Sequence, residues 1–214
     1  MKILISTTVA LLLSLFSFAQ EKIEKSFDYK NFDKVYLQGQ NADAQISIGK
    51  NWSIRVEGPE ESVNNLEMTY SSTEYKLEIK NKPGKVGYKK NQKPTTIYIT
   101  MPEASVIAQS GNGDLAVKGI VGKYFRLEQE GNGDCTLSGS IDSFDLEKGG
   151  NGDLNAGSLK VAAMKFTTAG NGDTTVNVSE KMSGKLVGNG DLINRGAARC
   201  NDCKKNGNGD FIYR

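Results

Sequence analysis

Gly111-Asn112-Gly113-Asp114 is the stretch that decides the fold, because the same four residues occur six times in the second half of the chain. A fixed period of this size is typical of a repeat architecture, in which each repeat is one structural unit. The copies begin 18 to 20 residues apart, at Gly111, Gly131, Gly150, Gly170, Gly188 and Gly207.

Apolar residues alternate with polar ones on both sides of each turn. Leu115 and Val117 follow the first turn two residues apart, and Phe125 and Leu127 precede the second. Period-two alternation predicts strands with one buried face. Each unit of about 19 residues therefore holds at least two short strands, which predicts an all-β fold: one coil of a parallel β-helix (solenoid) per repeat.

The turn residues are expected to form a stacked corner. Glycine supplies the positive φ that a sharp corner needs, and asparagine tolerates left-handed conformations. Stacked asparagine side chains can also form amide ladders, and a purely structural corner explains the motif. The turn positions are Gly111, Asn112, Gly113, Gly131, Asn132, Gly133, Gly150, Asn151, Gly152, Gly170, Asn171, Gly172, Gly188, Asn189, Gly190, Gly207, Asn208 and Gly209.

The last turn position forms a column of like charges. At the ~4.8 Å spacing of neighbouring strands, two carboxylates in water repel by ~0.9 kcal/mol. Hydrogen bonds from N–H groups of the same turn, splaying into water, or a bound cation such as calcium could relieve this repulsion. Calcium-binding solenoids have a nine-residue period, so calcium is the less favoured alternative and no metal or other cofactor is expected. The column is Asp114, Asp134, Asp153, Asp173, Asp191 and Asp210.

The charge and residue composition exclude several function classes. The chain has 27 basic and 25 acidic residues, so it lacks the basic surplus that attracts nucleic acid. It has no histidine, which removes Ser–His and Cys–His pairs and the commonest zinc ligand. Lysines are concentrated between Lys82 and Lys93; a solvated hairpin tip is favoured there over a polyanion contact.

The first residues are typical of an export signal. Lys2 precedes an apolar run from Ile3 to Phe18, and Ser17-Phe18-Ala19 is a small-x-small cleavage signature. We expect residues 1–19 to be a signal peptide. The mature protein would then be periplasmic, at the cell surface or extracellular, with no transmembrane segment.

The three cysteines lie in the repeat half. Cys135 occupies an inward position after its turn, so a buried thiol is expected. Cys200 and Cys203 are expected to form a local disulfide, since export leads to an oxidising compartment; two free thiols come next. A zinc site would lack two further ligands.

The first half of the mature chain is rich in predicted strands. They cover 34–37, 44–48, 52–56, 67–70, 75–79, 95–101 and 105–109, with one helical turn over 60–66. Residues 21–31 are expected to be loose. Residues 20–110 would thus be a strand-rich cap region and 111–214 the regular solenoid, together one continuous domain over 20–214. Arg195, Arg199, Lys204 and Lys205 are expected to protect the terminal edge from aggregation.

The sequence resembles the putative auto-transporter adhesin, head GIN domain family of exported Gram-negative proteins. The resemblance rests on Phe32-Asp-Lys-Val, Ile54-x-Val56-x-Gly58, Ile97-Tyr-Ile-Thr-Met-Pro102 and, above all, the iterated Gly-x-Gly-Asp-Leu turns. It implies a right-handed parallel β-helix and supplies no catalytic residues.

The sequence therefore predicts an exported, non-enzymatic β-solenoid, adhesin-like or structural, with an envelope polysaccharide or protein as its partner. The alternatives are a polysaccharide-active enzyme, glycosidase or lyase, built on the β-helix, and a calcium-stabilised scaffold. Neither the ligand nor the oligomeric state is predicted.

Overall fold

The computed structural model describes residues 22–83 and 95–214, which form one fifteen-stranded sheet wound into a solenoid of about five coils. The expected signal peptide and most of the lysine-rich segment lie outside the described residues. The elements before the repeats are β1 Lys22–Phe27, β2 Lys34–Gln40, β3 Asp43–Ile48, β4 Ser53–Pro59, α1 Glu60–Asn64, β5 Leu66–Ser71, β6 Lys76–Asn81, β7 Thr96–Met101 and β8 Val106–Gly111. The repeats contain β9 Leu115–Gly131, β10 Cys135–Gly150, β11 Leu154–Gly170, β12 Thr174–Gly188, β13 Leu192–Asn194, β14 Cys200–Gly207 and β15 Phe211–Tyr213.

The repeats stack in parallel with equivalent residues in register, which confirms the predicted solenoid. Leu115 pairs with Cys135, and Cys135 pairs with Leu154. Strands β9 to β12 are single runs of 15 to 17 residues, each bent around the solenoid, rather than separate short strands. Shifts in register mark the bends, for example between Leu137 and Gly139.

The N-terminal half continues the two sides of the first coil as two wings. One wing extends from the start of β9 through β3, β7, β4 and β1, with its last two pairings antiparallel. The other extends from the end of β9 through β8, β2, β6 and β5, with its last pairing antiparallel. Both wings thus end the parallel stack in antiparallel pairings at its N-terminal end.

Residues 22–27 are not loose, as the sequence had indicated, but form the edge strand β1. They pair antiparallel with β4 from Lys22 opposite Pro59 to Phe27 opposite Ile54. The sequence conceals this strand because four of its six side chains are exposed, so no apolar alternation marks it. Arg55 of β4 bonds Glu24 across the pair at 2.9 Å.

The core is a set of stacked apolar columns that run through the solenoid. Phe125 and Phe144 are fully buried and stack with ring centroids 5.7 Å apart. Farther along, Phe166 lies beside Gly184, where an added Cβ would clash with the Phe166 ring and carbonyl. The glycine therefore leaves the space that the ring fills.

The fifth coil leaves the regular path of the solenoid after β13, and the Asn194 side chain compensates for the backbone hydrogen bonds lost there. Its side chain is fully buried, accepts bonds from the N–H groups of Val178 and Gly196, and donates to the carbonyls of Val178, Gly196 and Ala198. One amide thus replaces the backbone bonds that a continuous strand would supply. Within residues 22–83 and 95–214, no helix has the length and hydrophobicity of a membrane-spanning segment.

Candidate functional site

The asparagines of the turns form a continuous ladder on the exposed corner of the solenoid. Asn132 Nδ2 donates to Asn112 Oδ1 at 2.8 Å, and Asn151 Nδ2 donates to Asn132 Oδ1 at 2.7 Å. The same bond joins each later pair, up to Asn208 on Asn189 at 2.9 Å. Every internal asparagine both donates and accepts, so the ladder fixes the rotamers of an exposed row.

The aspartates form a second ladder, in which each carboxylate accepts a backbone N–H of the next coil. Asp134 Oδ1 accepts from Asp153 N at 2.8 Å, and Asp153 Oδ1 accepts from Asp173 N at 2.8 Å. The sequence had suggested donors within the same turn; the structure places them one coil away. Each carboxylate thus helps to hold two coils together, and its other oxygen is left for solvent or a ligand.

Both ladders begin one coil earlier than the repeat motif. Asn112 Nδ2 donates to Asn41 Oδ1 at 2.9 Å, and Asp114 N donates to Asp43 Oδ1 at 3.0 Å. The repeat motif does not reveal this rung, because Gln40-Asn41-Ala42-Asp43 keeps Asn and Asp at the right spacing but lacks both glycines. The pattern Asn-x-Asp between two strands was the available signal.

Neither glycine of a turn, such as Gly131 and Gly133, leaves room for a Cβ beside the preceding coil, and the first also has a positive φ. The first, such as Gly131 with φ of 134°, adopts a backbone conformation that other residues rarely adopt. The second, such as Gly133, has no such φ, contrary to the sequence expectation. A Cβ on Gly133 would clash with the carbonyl of Gly113 in the preceding coil, so close stacking of the turns excludes a side chain.

A polar seam lies inside the solenoid behind this corner. Gln109 and Gln129 are buried and donate to the carbonyls of Gly113 and Gly133 at 2.6 and 2.7 Å. In the next coil Lys148 takes the equivalent position. Its side chain was not singled out from the sequence, because its inward direction follows only from the register.

Lys148 places a buried positive charge behind the middle of the aspartate ladder. Its Nζ donates to the Gly172 carbonyl at 3.0 Å. Burial lowers the pKa of Lys148 below its usual value, while Asp153, Asp173 and Asp134 oppose that shift. The lysine is therefore an internal counter-charge to the aspartates, which the sequence pattern does not indicate.

The cysteines fall into two separate environments. Cys135 is buried, and that burial raises the pKa of its thiol, which makes the thiolate unfavourable. Cys200 and Cys203 are paired through their sulfur atoms, with Cα atoms 5.6 Å apart. Both cysteines pack against the core as partly buried residues, and the Cys200 N–H donates to the Tyr213 hydroxyl at 3.0 Å.

The aspartate column does not converge into a cluster. No group of three or more Asp, Glu, Cys or His residues within 22–83 and 95–214 is arranged to hold a metal ion. The carboxylates instead follow the corner one per coil, and each Oδ1 from Asp114 to Asp191 accepts a backbone N–H.

A groove of about 460 Å³ lies beside this corner, on the outer face of the sheet. Strands β2, β8, β9, β10 and β11 contribute to it, with Tyr36, Ala108, Glu128, Glu147 and Thr167 in one row across the strands. No local pattern reveals the groove, because its lining extends from Tyr36 to Ala169 and its residues become neighbours only through the register.

A family model described as "Putative auto-transporter adhesin, head GIN domain" matches residues 31–198. The chain belongs to this family. The matched part of the head GIN domain includes the groove and five of the six turns, and it ends just before Cys200. A search of curated proteins gives no match.

One solved structure supports the fold. A protein from Bacteroides fragilis described as a putative adhesin is 18% identical, with a TM-score of 0.68 over 92% of this chain and 98% of that chain. A putative adhesin from Parabacteroides merdae is 13% identical, with a TM-score of 0.49 over 92% of this chain and 97% of that chain. At these identities the first likeness supports the head GIN fold alone.

Proposed function

We propose that this head GIN domain is an exported, non-enzymatic solenoid that binds a component of the cell envelope through its outer surface. The observation that carries the proposal is the unbroken pair of ladders from Asn41 and Asp43 to Asn208 and Asp210. They hold one corner rigid over the length of the solenoid, as a surface that presents side chains at fixed spacing requires. The signal-like first 19 residues and the adhesin description of the family support the export and binding parts.

The ladder geometry favours a binding role over the polysaccharide-active alternative. Glycosidases place two carboxylates on either side of the bond that is cleaved. Here the aspartates project from one corner, and their Oδ1 atoms are already used to join the coils. A ligand lying on this corner would meet carboxylates from one side.

Two measurements test the proposal. Expression of the full chain in a Gram-negative host should give an exported protein whose mass corresponds to a chain that starts at Gln20. Immobilised residues 20–214 should then retain at least one purified envelope fraction: outer-membrane vesicles, peptidoglycan or capsular polysaccharide. The heat-denatured domain serves as the control. A protein that stays in the cytoplasm with residues 1–19 attached, or one that retains no fraction above this control, would contradict the proposal.

A further inference from the structure

The floor of the outer groove is made of small side chains on neighbouring strands. Ala108 and Ser110 of β8 lie on one side, and Gly149 of β10 with Ala169 of β11 lie on the other. Between them Glu128 and Glu130 of β9 reach outward. The groove therefore runs across the strands, parallel to the solenoid axis, and spans four strand spacings of ~4.8 Å.

The walls combine an aromatic ring with carboxylates held in place by an arginine. Tyr36 stands at one end, and the Lys76 ammonium lies 5.4 Å from its ring centroid. Arg126 binds Glu128 at 2.6 Å and Glu147 at 2.9 Å across two strands. These groups are held by the sheet and by one another, so little side-chain entropy is lost when a ligand binds.

The charge of the groove argues against a polyanion. Glu128, Glu130 and Glu147 all line it, and Arg126 already pairs with two of them. Glu130 is exposed and makes no ion pair with any described residue. A phosphate-rich or uronate-rich chain would be repelled by these carboxylates.

The position of the groove argues against an extended peptide. Extended peptides that bind a sheet do so at its edge, where free backbone N–H and C=O groups of the edge strand form hydrogen bonds with the backbone of the peptide. This groove lies on a sheet face, and the backbone groups of β8, β9 and β10 are used by their strand neighbours. A peptide lying there would leave its own backbone groups without partners.

We propose that this groove binds an unbranched neutral glycan, lying along the solenoid axis. Its hydroxyl groups find acceptors and donors in Glu130, Gln38, Ser110 and Thr167, and the apolar face of one sugar ring packs on Tyr36. The inference rests on the proposed function, since it names the chemistry of the envelope component.

Two variants alter the groove without touching the core. Tyr36→Ala removes the ring from one end. Gly149→Gln fills the floor, and a Cβ there fits, because its nearest contact is Glu130 Cγ at 3.9 Å. Tyr75→Ala is the matched control, since Tyr75 is exposed and lies outside the groove.

The experiment is titration calorimetry of residues 20–214 with neutral hexasaccharides of glucose, xylose and mannose, and with alginate and polylysine as charged comparators. We expect at least one neutral hexasaccharide to bind, with a Kd raised about tenfold or more in Tyr36→Ala and Gly149→Gln and unchanged in Tyr75→Ala. Circular dichroism and thermal melting check that each variant is folded.

The outcomes separate this proposal from the function on which it rests. Tighter binding of alginate or polylysine, equal binding by all variants, or no binding of any neutral hexasaccharide overturns the glycan groove. If an envelope fraction is still retained in those cases, the binding function stands and its ligand lies elsewhere. If no envelope fraction is retained either, both proposals fail.

Discussion

Lys205 Nζ donates to Asp210 Oδ1 at 2.6 Å. In each preceding rung the same oxygen accepts the backbone N–H of the next coil, as Asp191 Oδ1 does from Asp210 N at 2.8 Å. In the last coil, the Lys205 ammonium therefore replaces the backbone N–H donor that a further coil would supply. The sequence placed four basic residues near this edge, and the structure shows which of them meets the ladder.

Replacing Lys205 should expose the end of the aspartate ladder. We expect Lys205→Met to associate more strongly at high protein concentration, because an uncapped strand edge is a template for pairing. Light scattering after size-exclusion chromatography measures the mass across a dilution series. Lys204→Met is the matched control, since Lys204 is exposed and makes no ion pair with a described residue. Equal masses for both variants would show that the ion pair does not protect the edge.

A charge in the middle of the asparagine ladder should destabilise the solenoid. In Asn151→Asp the donor to Asn132 Oδ1 is lost, and a carboxylate faces that acceptor. We expect a loss of about 1 to 2 kcal/mol in the free energy of unfolding, measured by denaturant titration. Asn155→Asp is the comparison, because Asn155 Oδ1 only accepts, from Gly157 N, and Asp retains that ability. A smaller loss for Asn151→Asp than for Asn155→Asp would contradict the role of the ladder.

Calcium should leave the stability of the mature domain unchanged. Each ladder Oδ1 up to Asp191 is bonded to an N–H of the next coil, so the carboxylates do not gather around one point. We expect melting curves of residues 20–214 in millimolar calcium and in chelator to agree within about 2 °C. A larger rise with calcium would identify the column as an ion site.

Lys148 should make stability depend on pH in the alkaline range. Its pKa in the folded protein is below the ordinary 10.5 because of burial, so the unfolded chain binds more protons between those two values. Stability attributable to this residue therefore rises with pH across that window. The measurement is the free energy of unfolding of the wild type and of Lys148→Met between about pH 8 and 10.5. The difference between the two proteins isolates this rise. For Lys165→Met, at an exposed position, the difference in unfolding free energy from the wild type should not depend on pH. A difference for Lys148→Met that is likewise independent of pH would refute the assignment.

Thiol titration should separate the three cysteines. With Cys200 and Cys203 paired, the unfolded chain without reductant should expose one thiol, that of Cys135. The folded chain should react slowly, because Cys135 is buried and its raised pKa disfavours the thiolate. Three thiols in the unfolded, unreduced chain would show that the pair is not bonded.

The fold could be predicted because the spacing of the repeats shows which residues of neighbouring coils are equivalent. Once Gly131 and Gly150 are known to be equivalent, the apolar positions between them fall into columns that need no further information. The same reasoning fails at Asn41 and Asp43, where an alanine replaces the second glycine and hides the rung. It also fails at β1, whose mostly exposed side chains carry no alternation.

The candidate site was less accessible from the sequence. In the sequence, nothing distinguishes Lys148 from the other lysines. Only the register shows that it is equivalent to the buried Gln129. The groove joins Tyr36 to Thr167 through three intervening strands. Its lining follows from pairing in three dimensions rather than from any local pattern.

All six bonds of the asparagine ladder point the same way, from each Nδ2 back to the Oδ1 of the preceding coil. Their dipoles add along the axis, as peptide dipoles do in a helix. The asparagine ladder is therefore a polar row, with its donor end at Asn208 directed back towards its acceptor end at Asn41. A partner that lies along this exposed corner meets the amide groups in one fixed order, so the two directions along the solenoid axis are chemically distinct.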